Sequence, residues 1–391
     1  MNNKYLLIVL LLAKIGQPVC ALEKDKSSRE FKFSYENKSY LGRDNVYREI
    51  DRYSLENTYK YQLNKKNNLS IQLPYSYARL NSANGRVNTL AGVKDATISH
   101  TMETRKAKPG LYGVKWVFKL GMPLGKEQLS AGEDAVYQAM NETGQGLDKA
   151  PLGAGFNFGF DLNLNQIYNP NRNVEYVVGY TVQGAYSTLE EQLSKKDPGD
   201  SIRLGFKNTL KKGKSHQYQY GITANYTAET FSSRAQAGLP IESRLPSKIE
   251  YTLMLRSEVM RNANLKQILH FEYQQKDLFE SLSSDGKFIK TDQGDRIKFD
   301  WFYEDKLNAR VTQRYGISSL FGEPNDNKEA SGPAPLPPLG KDFNSRIEDI
   351  QATYGRIYTL NKYRKWYWNV SRGLTEDSRD YVAEAGLNFT F

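Results

Sequence analysis

Apolar and polar side chains alternate residue by residue through almost the whole of this chain. From Tyr53 to Leu63, one face takes Tyr53, Leu55, Tyr59, Tyr61 and Leu63, and the other takes Ser54, Glu56, Thr58, Lys60 and Gln62. Leu69, Ile71, Leu73, Tyr75 and Tyr77 repeat the pattern, as do Val114, Trp116, Phe118, Leu120 and Met122. Phe156, Phe158, Phe160, Leu162 and Leu164 alternate with Asn157, Gly159, Asp161, Asn163 and Asn165. A period of two marks a strand with two unlike faces. Each segment runs about ten residues, the length a tilted strand needs to cross the hydrocarbon of a bilayer.

Marking every such segment predicts sixteen strands, near 31–40, 52–63, 69–80, 94–105, 111–122, 153–166, 174–186, 200–210, 216–227, 247–258, 265–275, 295–304, 309–319, 344–358, 363–371 and 381–391. Fourteen is the alternative count. Short polar connections fall at 64–68, 106–110, 167–173, 211–215, 305–308 and 359–362. Longer ones fall at 81–93, 123–152, 187–199, 228–246, 276–294 and 320–343. Short turns at one end and long loops at the other, with an even count that leaves no free edge, predict an all-β fold. It is a transmembrane antiparallel β-barrel with short periplasmic turns and long extracellular loops. A soluble sandwich also alternates, but it needs a second, inner apolar set for its core. Here the opposite faces carry Lys, Glu, Asp, Asn and Gln, which suit a wet interior.

Composition agrees with this pattern. The mean hydropathy of −0.66 is that of a very polar protein, yet the chain holds 27 Tyr and 17 Phe. A barrel reconciles the two, because only alternate strand residues face lipid. The net charge of +10 is read as lumen, rim and lipopolysaccharide-facing charge, with no nucleic-acid partner. At the start, Lys4, the apolar run Leu6 to Ala13 and Val19-Cys20-Ala21 predict a signal peptide over 1–21, cleaved after Ala21 rather than lipidated at Cys20. A single barrel domain would then occupy 22–391 and contain no cysteine. The expected location is the outer membrane of a Gram-negative cell.

The last segment, Tyr381 to Phe391, sets Tyr381, Ala383, Ala385, Leu387, Phe389 and Phe391 on one face. It resembles the terminal-strand signal that the barrel-assembly machinery reads, which implies Tyr381, Leu387, Phe389 and Phe391 as the recognised positions. In strand number, length and loop plan the chain also resembles the general porins. That resemblance implies passive diffusion of small solutes and ions, a possible homotrimer, and a loop after the fifth strand that folds inward as a constriction. The matching loop, 123–152, carries Glu127, Glu133, Asp134, Glu142 and Asp148. Lys60, Lys115, Lys119, Arg203 and Lys207 occupy polar-face positions and form a candidate basic wall across the lumen, so that loop and wall would set up a transverse field.

A second, local resemblance covers residues 69–125. Leu73-Pro-Tyr-Ser-Tyr77, Gly92-Val-Lys-Asp95 and Phe118-Lys-Leu-Gly-Met-Pro-Leu-Gly125 are similar to an outer-membrane family linked to the degradation of phenol and aromatic compounds. It implies the alternative of a channel for small hydrophobic or aromatic molecules. A surface adhesin or structural barrel is a further alternative.

Chemistry is sparse. His100 and His216 share faces with apolar residues and His270 stands alone, so the three histidines give no metal-ligand spacing. Ser82-Ala-Asn-Gly-Arg86 lacks a neighbouring His for nucleophilic catalysis. There is no phosphate-binding glycine motif. The expectation is a protein with no cofactor and no reaction. The proline-rich run Glu329 to Gly340 is expected to be a stiff, extended loop.

Overall fold

All sixteen alternating segments are strands in the computed structural model, and each pairs antiparallel with its neighbours in chain order. The structure describes residues 27–390, apart from 42–46, 83–84, 126–128, 143–154, 188–193, 214, 237–238, 246, 276–277, 283–287, 293, 332–338, 343–345, 362 and 376–377. The predicted signal peptide, Glu127, Asp148, Phe391 and most of the proline-rich run lie outside the described residues.

The wall begins with β1 (Ser27–Leu41), β2 (Tyr47–Asn64), β3 (Asn67–Ser82), β4 (Val87–Val93), β5 (Ala96–Arg105) and β6 (Gly113–Met122). Helix α1 (Ala131–Glu142) follows, and then β7 (Asn157–Asn169) and β8 (Arg172–Gln183). After β9 (Tyr186–Ser187) and β10 (Ser194–Asp197), the wall resumes with β11 (Ser201–Lys212) and β12 (His216–Thr227). β13 (Thr230–Gln236) and β14 (Leu239–Leu245) precede β15 (Lys248–Met260) and β16 (Leu265–Gln274). β17 (Leu278–Leu282) and β18 (Phe288–Asp292) lead to β19 (Arg296–Lys306) and β20 (Val311–Gly322). β21 (Asn325–Ser331) and β22 (Gly340–Asp342) come before the last three staves, β23 (Ile347–Asn361), β24 (Arg364–Gly373) and β25 (Tyr381–Thr390).

The main sheet holds seventeen strands but makes sixteen staves, because β4 and β5 are two halves of one. Between Val93, opposite Tyr75, and Thr97, opposite Gln72, the chain carries one residue more than β3 does. That bulge at Lys94 and Asp95 flips the inward set from Asn88 and Leu90 to Thr97 and Ser99. The sheet closes where β1, already paired with β2, also pairs with β25 from Ser28↔Thr390 to Asn37↔Tyr381.

The outside of the cylinder is apolar. Phe33, Leu73, Phe158, Leu204, Ile222, Leu255 and Ile317 stand exposed there, each more than a third accessible. A belt of that extent is stable against lipid tails, not water. Tyrosines flank it. Tyr53 lies 4.9 Å from Tyr35 and 6.0 Å from Tyr77 near the long-loop end, while Tyr358 stacks on Trp366 at 4.3 Å near the short turns. These are the interfacial girdles of a barrel seated in the outer membrane.

Five short turns use one device. Asn64, Asn169, Asn262, Asn308 and Asn361 each accept, through Oδ1, the backbone N–H two residues on. An asparagine side chain thus stands in for the missing ladder partner of a tight turn. At the other end, the long loops carry strands of their own. The segments expected as loops at 187–199 and 228–246 contribute β9, β10, β13 and β14 to a four-stranded sheet. Those at 276–294 and 320–343 contribute β17, β18, β21 and β22 to another. The proline-rich run accordingly starts as a strand, with Glu329 to Ser331 in β21. Strand pairing continues past the membrane because adjacent loops meet edge to edge and satisfy each other's backbone groups.

One loop tucks into the closing seam. Arg379, between β24 and β25, donates from Nε to Asp349 at 2.9 Å and lies 3.6 Å from Glu36 of β1. Its carbonyl accepts from Gln351, and Asp380 accepts from the backbone of Ser39. Asp349 is 2% exposed, so removing its cation leaves a buried carboxylate short of partners. Arg379→Ala is expected to lower the unfolding free energy of the refolded barrel by about 2 kcal/mol. Urea titration followed by the gel shift between folded and unfolded forms measures this. An unchanged midpoint would show that the seam does not depend on Arg379.

Candidate functional site

The interior of the cylinder is the candidate site, and its character follows from the strand period. Outward Tyr53 and Tyr77 place Arg52, Ser54, Ser76 and Ala78 inside, and the same parity holds around the wall. Inward positions are charged or amide-bearing on most staves, and neighbouring strands satisfy them. Glu36 binds Arg52 at 3.0 Å, Lys207 binds Glu175 at 2.7 Å, and Lys266 binds Glu304 at 2.7 Å.

Four of the five predicted basic-wall residues lie close together, on β6 and β11. Lys119 and Arg203 each reach Asp161 of β7, at 2.7 Å and 2.7 Å. Gly179 of β8 makes this possible, because the Asp161 carboxylate fills the space that a side chain at 179 would need. Lys207 pairs with Glu175, while Lys115 stands exposed, opposite Glu103 and Asn163 in register. Lys60 sits apart on β2, 3.9 Å from Glu30. Half-exposed pairs of this kind contribute little stability.

The loop after the fifth stave folds back as helix α1 against the inner wall. Leu129, Val136, Ala139 and Met140 pack on Ile50, Ala78, Leu80 and Leu90, the inward residues at the long-loop ends of β2, β3 and β4. Val136, Ile50, Ala78 and Leu90 are fully buried. Burying each of the larger side chains is worth about 1.5–3 kcal/mol, which holds the helix on the wall. Gly132 brings the first turn close to Asn88. At the helix start the Ser130 N–H and hydroxyl both donate to the Glu133 carboxylate at 3.0 Å, the first of these being the Glu half of a capping box. Glu133 is therefore engaged in starting the helix. Asp134 and Glu142 lie on the same helix, with side chains outside the described residues. Among the described residues, β4 has a strand partner only in β3, and α1 packs beside that half-stave.

Sequence reasoning missed a second polar centre, around Glu36, Asp300, Asp349 and Arg379. Inward charges on successive strands are visible in the alternation. What hides the centre is that Arg379 comes from a loop and its partners from β1 and β23. Here Asp300 accepts a hydrogen bond from Ser318 and lies 3.2 Å from His270 Nδ1. The carboxylate sits between hydroxyl and imidazole, so the order required for a serine nucleophile activated by histidine is not formed.

No family model matches the chain, and no curated protein matches it. Among solved structures it is similar to a bacterial polysaccharide outer membrane secretin, at 10% identity and a TM-score of 0.44, covering 94% of this chain and 99% of that one. It is also similar to the toluene transporter TodX of Pseudomonas putida, at 12% identity and a TM-score of 0.41, covering 94% and 90%. An outer membrane channel from Pseudomonas putida F1 follows at 9% identity and a TM-score of 0.38, covering 96% and 99%. Identities and scores this low carry over neither residue roles nor a substrate. The class rests on the barrel itself, a closed sixteen-stave cylinder with an apolar outside and a charged inside: an outer-membrane β-barrel.

The packing of α1 is open to a direct check. Val136→Asp places a charge among Ile50, Leu80 and Leu90 and is expected to release the helix from the wall. Limited proteolysis of the folded barrel should then cut within 123–156 at least about tenfold faster, the rate following the equilibrium population of the released helix. Equal cutting rates would show that the helix is held by something other than this cluster.

Proposed function

We propose that this chain is a channel for passive passage of small hydrophilic solutes and ions across the outer membrane. The observation that carries the reading is the inner wall, where cations and carboxylates from nearby staves pair laterally along a polar lumen, as in Lys119–Asp161–Arg203. Fixed lateral pairs leave the wall wettable while keeping any one charge from trapping a passing ion. The helix α1, lying on β2 to β4, narrows the lumen from one side. The cations of β6 and β11 line the lumen further round the wall, and Lys60 lies toward the short-turn end of β2. In this reading Glu127, Asp134 and Glu142 lend the inward loop its negative charge. The terminal strand, through Tyr381, Leu387, Phe389 and Phe391, addresses the chain to the assembly machinery, and a homotrimer follows the porin plan.

Conductance in planar bilayers tests this, with the reversal potential read under a salt gradient. Native protein is expected to give ohmic steps. Asp161→Asn removes the carboxylate shared by Lys119 and Arg203 and should move the reversal potential toward the anion equilibrium value. A folded barrel that never conducts would overturn the reading.

One observation favours a second reading, a channel for small hydrophobic or aromatic compounds. The stave made by β4 and β5 is broken at Lys94 and Asp95, and beside β4 the inner surface becomes apolar where α1 packs. Uptake of toluene into vesicles by a barrel that fails to conduct would favour this reading over the first. TodX, a toluene transporter, suggests the probe and nothing more.

A further inference from the structure

Across β1, β19, β20, β23, β24 and β25 the inner wall lines a half-open cavity of about 310 Å³. Its carboxylates are all engaged. Asp300 faces Ser318, His270 and, at 3.5 Å, Lys298. Glu36 is held by Arg52 at 3.0 Å and by Arg379 at 3.6 Å, and Glu384 by Lys32 at 2.8 Å. Glu304, the cross-strand neighbour of Arg314, is taken by Lys266 at 2.7 Å.

Arg314 is the charge left over. Its guanidinium lines the cavity and forms no ion pair among the described residues, and its Nε is buried without a hydrogen-bond partner there. What positions it is an aromatic ring, with Cζ 4.0 Å from the centroid of Phe302. Phe302 in turn lies over Gly316, where a Cβ would come within 2.7 Å of the ring. Gly355, opposite Arg314 on β23, adds no side chain on that flank. Arg314 is half-buried with its Nε shut off from water, and a cation so placed without an acid favours an anion from solution. The planar fork of arginine matches both oxygens of a carboxylate, and Asn369, whose amide reaches Glu384 at 3.4 Å with one N–H, has a second N–H to offer in the same cavity.

We propose that Arg314, seated on Phe302, anchors a luminal subsite for small monocarboxylate anions. The proposal rests on the channel reading for the route by which the anion arrives, but its binding is measurable without conduction.

The test uses the full refolded barrel in detergent, with folding verified by its gel shift, and ¹³C-acetate as the probe, titrated by NMR line broadening. Native protein should show saturable binding. Arg314→Gln should weaken it about tenfold, the loss expected for one charge-assisted hydrogen-bond pair. Arg314→Lys keeps the charge without the fork and should fall in between. Lys328→Gln, which removes one cation from the outer hairpins, should leave binding unchanged. Absence of saturable binding, or equal losses in Arg314→Gln and Lys328→Gln, would overturn the subsite. Should Arg314→Gln fail to refold, Arg314→Lys decides: affinity equal to the native protein overturns the bidentate anchor. Conductance of the same samples separates the two claims. Conduction without acetate binding removes the subsite alone, and acetate binding by a silent barrel removes the channel alone.

Discussion

Backbone hydrogen bonding in a medium without water is the constraint from which the rest of this structure follows. A strand in lipid must pair on both edges, and a sheet satisfies that only by closing on itself. Here closure is the ladder between β1 and β25, the first and last staves in the chain. Once the cylinder is closed, each strand has one face toward lipid and one toward the interior. The period of two then divides the chain into an apolar outside and a polar inside with no intermediate option.

A polar inside has its own requirements. Long charged side chains must lie along the wall and find partners on adjacent strands, and small residues make the room. Gly179 yields its space to Asp161, so that one carboxylate can meet cations from β6 and β11. Tyr367 lies in the same way over Gly386 on the neighbouring strand. Where the wall turns apolar, at Ile50, Ala78, Leu80 and Leu90, a helix covers it. Among the described residues, the interior is thus a set of lateral charge pairs with one helical insertion.

The strands were legible because lipid imposes a strict alternation, and residues such as Phe156 to Leu164 display it without interruption. The short turns were legible from their asparagines and glycines. The break between β4 and β5 was not, since Lys94 and Asp95 read as an ordinary strand start and only the register against β3 shows the extra residue. The hairpin sheets above the membrane were also hidden. Ser194 to Asp197 and Asn325 to Ser331 are polar on both faces, so their pairing leaves no hydropathy signal. For the lumen, inward cations such as Lys119 and Arg203 could be named from parity. Their partners could not, because Asp161 meets both only through the stagger of four neighbouring staves. Arg379 and Arg314 were missed for related reasons. One reaches the wall from a loop, and the other is set apart only by the partner it lacks.

The most direct test of the account is thiol accessibility along β12. The one cysteine of the chain is Cys20, so a Cys20→Ser background accepts single cysteines at successive positions from Gln217 to Tyr226. In the folded barrel in lipid vesicles, a charged, water-soluble maleimide should label Gln217, Gln219, Thr223 and Asn225 positions quickly. Positions Tyr218, Tyr220, Ile222 and Ala224 should remain unlabelled until the barrel is unfolded. Uniform labelling of both sets would contradict a lipid-facing exterior, and protection of both would contradict a water-filled lumen.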